Sequence, residues 1–154
     1  MDGAKLCKAD VDYLVATPKF IRAVPPLQPS GSPPVVIRVH TLVFKTSEPN
    51  RPIGGLVVMA KARQAPSGVP KPPPSSALEW FGKRIRGLDY EVWHDNPDGS
   101  IVKGWHEHVW SPEYQDAYVV LARPKLKHKG LLDIFAWSLK KWNIKVLEDQ
   151  KTLR

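Results

Sequence analysis

The chain has 154 residues and carries 23 lysines and arginines against 15 aspartates and glutamates, which gives a formal net charge of +8. That balance favours an anionic partner such as nucleic acid, an acidic protein or an anionic membrane surface. A hydrophobic content of 42% with six tryptophans excludes global disorder, and the length predicts one domain over residues 1–154.

Cysteine usage and hydropathy indicate the compartment. Cys7 is the single cysteine, so no internal disulfide forms and a reducing compartment fits. No apolar run approaches the ~20 residues that cross a bilayer, and the N-terminus lacks the apolar segment of a secretion signal. We therefore expect a cytoplasmic protein that makes no membrane contact.

The N-terminal part combines one ambiguous segment with two proline-rich ones. Residues 10–16 are compatible with a helix or a short strand, which Pro18 limits. The proline-rich segments lie near residues 24–34 and 65–76, and their lack of periodicity predicts loops.

Two strands are predicted between these loops. Apolar and polar side chains alternate over residues 35–46, and a second strand pattern covers residues 54–63. A turn at residues 48–52 joins them in a hairpin, with Gly54 and Gly55 at the entry of the second strand or at a bulge.

A short helix is predicted over residues 77–86. Ser75 and Ser76 offer a helix N-cap, and apolar side chains follow at helical spacing. The predicted helix ends in three cations, Lys83, Arg84 and Arg86. They either complement the helix dipole or form a patch that contacts phosphates.

The clearest turn signal in the chain is Asn96-Pro97-Asp98-Gly99. Asn caps its own turn, Pro presets the first central position, and Gly accepts a left-handed conformation. Strand-forming runs flank this turn over residues 88–95 and 101–110, so we predict a hairpin.

The register of this hairpin decides which side chains meet. With a three-residue loop, His94 faces Val102 and Tyr90 faces His106, which places Tyr90 on the face of the histidines. With a loop one residue longer, Asp89 faces His106 and Glu91 faces Gly104, and an acidic face results. Both registers place His106 and His108 on one face and Glu107 on the other.

The His106-Glu107-His108 pattern leaves four interpretations open. Two imidazoles on one strand face bind a metal together if His94 or Asp89 supplies a third ligand. They also serve as general acid and base near neutral pH, or as part of a surface that binds nucleic acid. The fourth is a polar strand face without chemistry. The chain has no Cys-x-x-Cys or His-Glu-x-x-His zinc motif.

The C-terminal part begins with a predicted buried strand over residues 117–122. A loop rich in cations follows, containing Arg123, Lys125, Lys127 and Lys129. The strongest helix pattern covers residues 131–142, with Leu132, Phe135, Leu139 and Trp142 on one stripe. Residues 144–146 are predicted to add an edge strand.

Residues 90–96, Tyr-Glu-Val-Trp-His-Asp-Asn, the following histidine pair and the closing helix together resemble the TumE-type toxins of bacterial and archaeal toxin–antitoxin pairs. The order of elements fits over residues 35–146. Three features differ from that family: Pro97-Asp98-Gly99 replaces further histidines, Trp105 replaces a proline, and proline-rich insertions are present. The resemblance implies a cytoplasmic protein that acts on nucleic acid and is neutralised by an antitoxin.

The sequence thus predicts an α+β fold, a mostly antiparallel sheet of about five strands with an amphipathic C-terminal helix on one face. One functional hypothesis is a toxin-like, metal-independent ribonuclease without a cofactor. Its predicted catalytic residues are His106, His108, His94 and Tyr90. Its predicted nucleic-acid contacts are Lys83, Arg84, Arg86, Arg123, Lys125, Lys127 and Lys129. The other hypothesis is a non-catalytic module that binds RNA or an acidic protein.

Overall fold

The structure is a computed structural model that describes residues 5–30, 36–65, 68–122 and 130–147. Within these ranges two helices and nine strands follow in chain order. They are α1 (Lys8–Ala16), β1 (Lys19–Ile21), β2 (Gln28–Ser30), β3 (Val36–Lys45), β4 (Glu48–Arg63), β5 (Ser75–Trp80), β6 (Lys83–Asp95), β7 (Ile101–Val109), β8 (Val119–Leu121), α2 (Leu131–Lys141) and β9 (Ile144–Val146).

All nine strands join one sheet in the order β8-β7-β6-β5-β4-β3-β1-β9, with β2 paired to β3 beside β1. The pairing is antiparallel except between β1 and β9, which run parallel. The predicted α+β class, the mostly antiparallel sheet and the C-terminal helix are confirmed. The expected strand number is wrong, because nine strands are present among the described residues rather than about five.

One face of the sheet carries the core. Helix α2 packs on β4 and β5 and beside β9. Val11 and Leu14 of α1 join the same core cluster as Phe135 and Trp142. Because both helices contribute to this cluster, the opposite face of the sheet carries neither of them.

The prediction of a helix over residues 77–86 is wrong. Strands β5 and β6 occupy that stretch and meet in a tight turn at Phe81-Gly82, where both residues have a positive φ (49° and 75°). In β5, Ser76 and Leu78 alternate toward the core and pair with β4. The apolar spacing fits a helix as well as a strand, and pairing with a buried neighbour strand decides between them.

Three smaller expectations also need correction. The turn between β3 and β4 lies before Glu48, so residues 48–52 belong to β4. Strand β2 forms inside the first proline-rich segment. Strand β8 is an edge strand with Val119 buried but Val120 and Leu121 exposed, because it ends the sheet.

Helix α2 and strand β9 lie where the sequence predicts them. Leu132, however, is exposed, and Ile134 takes its place on the buried stripe with Phe135 and Leu139. Asn143 adopts a positive φ of 57° after the helix, a conformation that Asn tolerates at helix ends. No helix in the described ranges is long and apolar enough to cross a membrane.

Candidate functional site: a histidine cluster on the open sheet face

The hairpin of β6 and β7 contains both registers that the sequence allows. Near the turn, His94 pairs with Val102, as a three-residue loop requires. Further from the turn, Asp89 pairs with His106 and Glu91 with Gly104, as the longer loop requires. A β-bulge between Glu91 and His94 joins the two parts, because β6 has one residue more than β7 there.

The bulge decides which side chains share a face. In a regular strand, residues three apart point to opposite faces. The extra residue restores His94 to the face of Glu91 and Asp89, which also holds His106 and His108. We call these five residues the histidine cluster: Asp89, Glu91, His94, His106 and His108.

Tyr90 is not part of the histidine cluster. It pairs with Trp105, and the two rings pack edge to face with 5.5 Å between their centroids. Trp105 belongs to a core group with Leu88 and Ile134 of α2, so Tyr90 lies on the opposite, helix-bearing face. The expectation that Tyr90 shares a face with the histidines therefore does not hold in this register.

The three imidazoles form a compact triangle. Their ring centroids are 5.2 Å apart for His94–His106 and His106–His108, and 5.6 Å for His94–His108. His106 is 0% exposed and His108 is 4% exposed, whereas the His94 side chain retains 18% of its surface. His94 is therefore the member of the triangle nearest to solvent.

Residues 111–118 cover the cluster, and we call them the cover segment. The Nδ1–H of His108 donates to the carbonyl of Asp116 at 2.8 Å, and the Nε2 of His94 lies 3.0 Å from the carbonyl of Ala117. The Nδ1 of His94 faces Oε2 of Glu91 at 3.1 Å. Because these contacts use main-chain carbonyls, no side-chain pattern in the sequence pointed to the cover segment.

Arg84 is the cation of this site. Its guanidinium contacts Oδ2 of Asp89 at 3.0 Å and Oδ2 of Asp116 at 2.9 Å, and Nη2 lies 3.1 Å from Nδ1 of His108. Its side chain runs over Gly87, where an added Cβ would meet the Arg84 Cδ at 2.7 Å. Arg84 thus lies beside the predicted catalytic residues, but carboxylates of the same chain already neutralise it.

Two ionisable groups of the cluster are shifted by their surroundings. Burial lowers the pKa of the His106 imidazole, although the hydrogen bond to the Gly104 carbonyl opposes this. Burial alone would raise the pKa of the Asp89 carboxyl, but contact with His108 and the charges of His108 and Arg84 lower it overall. The site therefore favours a neutral His106 next to an ionised Asp89.

Among the described residues, the other two predicted nucleic-acid contacts, Arg86 and Lys83, do not join this site. Arg86 lies on the helix-bearing side, where its Nε is 3.6 Å from Oε1 of a buried Glu107. Burial lowers the pKa of the Arg86 guanidinium, although the charge of Glu107 opposes this. Lys83 is exposed beside the Phe81-Gly82 turn. Arg123, Lys125, Lys127 and Lys129 lie outside the described residues.

A cavity of about 340 Å³ opens beside the cluster on the same sheet face. The charged residues that line it are Arg84, Asp89, Asp116, Lys61 and Glu79. The bulge residues Val92 and Trp93 are exposed.

Comparison of the chain with protein-family models, with curated proteins and with solved structures finds no match.

Proposed function

We propose that this protein cleaves phosphodiester bonds in RNA, with the histidine cluster as the reacting centre. The observation that supports this most is the convergence of three imidazoles and Asp89 beside a cavity, on the sheet face opposite the helices. The resemblance of residues 90–96 to TumE-type toxins supports the same substrate class, and an antitoxin as partner.

RNA cleavage requires a base that takes the proton of the 2′-hydroxyl and an acid that returns a proton to the leaving 5′-oxygen. His106 and His108 are too deeply buried to touch a substrate in this conformation. We therefore assign proton transfer to His94, with Glu91 orienting its ring through the contact with Nδ1. The His94 Nε2 becomes available when the cover segment releases it from the Ala117 carbonyl.

The test is cleavage of a fluorogenic RNA by the purified chain. We expect His94→Ala to lower the rate at least ~100-fold, as removal of a general acid–base group does. His40→Ala is the matched control, since His40 is exposed on the same sheet face but outside the cluster. Equal rates for the wild type and His94→Ala contradict the assignment. Absence of cleavage by the wild type on single-stranded and double-stranded RNA contradicts the function.

A second candidate is an RNA-binding module without catalysis. The exposed Trp93 at the bulge favours it, because unpaired bases stack on aromatic side chains. This candidate predicts that Trp93→Ala weakens RNA binding and that His94→Ala does not. Gel-shift measurements at several salt concentrations, run beside the cleavage assay, separate the two.

A further inference from the structure

We infer that Asp89, His106 and His108 form a binding site for one divalent transition-metal ion, with zinc as the best fit. One ligand atom from each of these residues lies within 4.8 Å of those from the other two. Two imidazoles and a carboxylate are the donors that zinc takes in proteins. The site itself follows from geometry; only its use in hydrolysis rests on the proposed function.

The unpartnered ring nitrogen of the buried His106 carries the inference. Nε2 of His106 is buried and has no hydrogen-bond partner among the described residues. Nε2 of His108 is also buried and lies 3.0 Å from Oδ2 of Asp89, so two of the prospective ligands are already in contact. Because a buried polar atom without a partner is unfavourable, such an atom requires an explanation. A cation shared by both nitrogens and the carboxylate supplies one.

The opposite ring nitrogens are held as in a metal site. Nδ1–H of His106 donates to the Gly104 carbonyl at 2.9 Å, and Nδ1–H of His108 donates to the Asp116 carbonyl at 2.8 Å. A histidine that ligates a metal typically donates its other N–H to a carbonyl or carboxylate, which fixes the tautomer and the ring orientation. Both bonds leave the Nε2 lone pair for a ligand.

His94 and Glu91 form a second possible ligand group with His106. We favour the group with Asp89, because both ring nitrogens of His94 already face acceptors, Glu91 and the Ala117 carbonyl. This assignment leaves His94 for the proton transfer proposed above. Three protein ligands leave a further coordination position for water, the pattern of catalytic zinc rather than structural zinc.

Metal binding requires the three ligand atoms to move closer together than they are in this structure. Tetrahedral bonds of about 2.1 Å place ligand atoms roughly 3.4 Å apart, so the separations between ligand atoms shorten by at most ~1.4 Å. Arg84 contacts only Oδ2 of Asp89, so the second carboxylate oxygen takes no part in that ion pair.

A metal also changes the charge of the site. Asp89, Glu91 and Asp116 outnumber Arg84, so a phosphate would meet net negative charge when the histidines are neutral. A divalent ion cancels this negative charge and offers a cation to the phosphate that the proposed ribonuclease needs.

The experiment measures metal binding without any activity assay. The chain carries Cys7→Ser, since an exposed thiol could bind zinc by itself, and it has no histidine tag. After chelator treatment, zinc is titrated against a chromophoric competitor, and Co²⁺ is added to record its visible absorption. We expect one ion per chain at micromolar affinity or tighter, with Co²⁺ bands typical of low coordination number.

Variants at the ligands and at matched histidines locate the ion. We expect His106→Gln and His108→Gln to weaken zinc binding at least ~100-fold, and His40→Ala and His94→Ala to leave one ion bound. X-ray absorption of the zinc-loaded wild type keeps the test independent of variant folding, and it should show nitrogen and oxygen neighbours only. A wild type that binds no zinc overturns the site, as does full binding by the folded His106→Gln and His108→Gln chains. Zinc binding without RNA cleavage upholds the metal site and contradicts the proposed function.

Discussion

Glu91 and His94 lie three residues apart on one strand, yet their side chains share a face of the sheet, with 3.1 Å between Oε2 and Nδ1. The bulge between them makes this possible, because the extra residue shifts the alternation by one position. The cluster therefore depends on the spacing of its residues within β6 as much as on their identities.

Deletion of Val92 should be tolerated. Val92 is exposed in the bulge, and without it His94 follows Glu91 by two positions, so a regular strand keeps both on one face. We expect the free energy of unfolding to change by less than about 1 kcal/mol in urea denaturation. Deletion of Lys103 on the facing strand is the control. It widens the mismatch to two residues, and we expect it to cost clearly more. Equal losses of unfolding free energy for the two deletions would contradict the proposal that the extra residue in β6 sets the register of His94.

Asn96 ties the hairpin tip to the edge strand β8. Its Nδ2 donates to the Val119 carbonyl at 2.9 Å, and its Oδ1 accepts from the Val119 N–H at 2.8 Å. Asn96→Ala removes the partners of both main-chain groups in a buried position, so we expect a loss of roughly 2–4 kcal/mol in unfolding free energy. Ser100→Ala removes the hydroxyl that donates to Asp98 and accepts from Asn96 Nδ2, but both bonds to Val119 remain, so it should cost only about 1 kcal/mol. A smaller loss for Asn96→Ala than for Ser100→Ala would be inconsistent with this role.

Much of this region could be predicted from sequence, and the limits have physical causes. The Asn96–Gly99 turn and the shared face of His106 and His108 follow from turn chemistry and strand alternation. The full histidine cluster could not be predicted. One extra residue in β6 gives the two ends of the hairpin different registers, and the sequence pattern treats these registers as alternatives. The turn at Phe81-Gly82 was missed for a similar reason. Phe carries no turn signal, and its positive φ is enforced by the pairing of β5 with β6.

Gly87 is required so that Arg84 can reach the cluster. In Gly87→Ala, the new Cβ would meet the Arg84 Cδ at 2.7 Å, and the guanidinium must leave Asp89 and Asp116. We expect a cost of about 1–2 kcal/mol in unfolding free energy. In the Arg84→Ala background the same substitution should cost almost nothing. A double-mutant cycle measures this difference, and additive costs would show that the two residues are independent.

Lys19 should make stability depend on pH in the alkaline range. It is 1% exposed, and burial lowers the pKa of its ammonium from 10.5 to about 8. Between these values the unfolded chain holds the proton and the folded chain does not, so this group makes stability rise with pH. The full difference corresponds to roughly 3 kcal/mol. We expect the Lys19→Met variant to lack this contribution to the pH dependence of stability.

The measurement for Lys19 compares the two chains by chemical denaturation at several pH values between 8 and 10.5. Subtracting the Lys19→Met curve removes the contributions of the tyrosines and other lysines. A difference that stays constant or falls as pH rises contradicts the prediction. The hydrogen bonds from Nζ to the carbonyls of Val15 and Thr17 would then hold the charged form.

The parallel pairing of β1 with β9 has a consequence for the order of folding. Strands β3 to β8 are neighbours both along the chain and in the sheet, so each can pair by closing a short loop. Lys19 and Ile144 come together only across most of the chain, held by the Lys19 N–H bond to the Asn143 carbonyl. We therefore expect the meander to form first and the edge of β1 and β9 to close last, which makes that edge the first to open in hydrogen exchange.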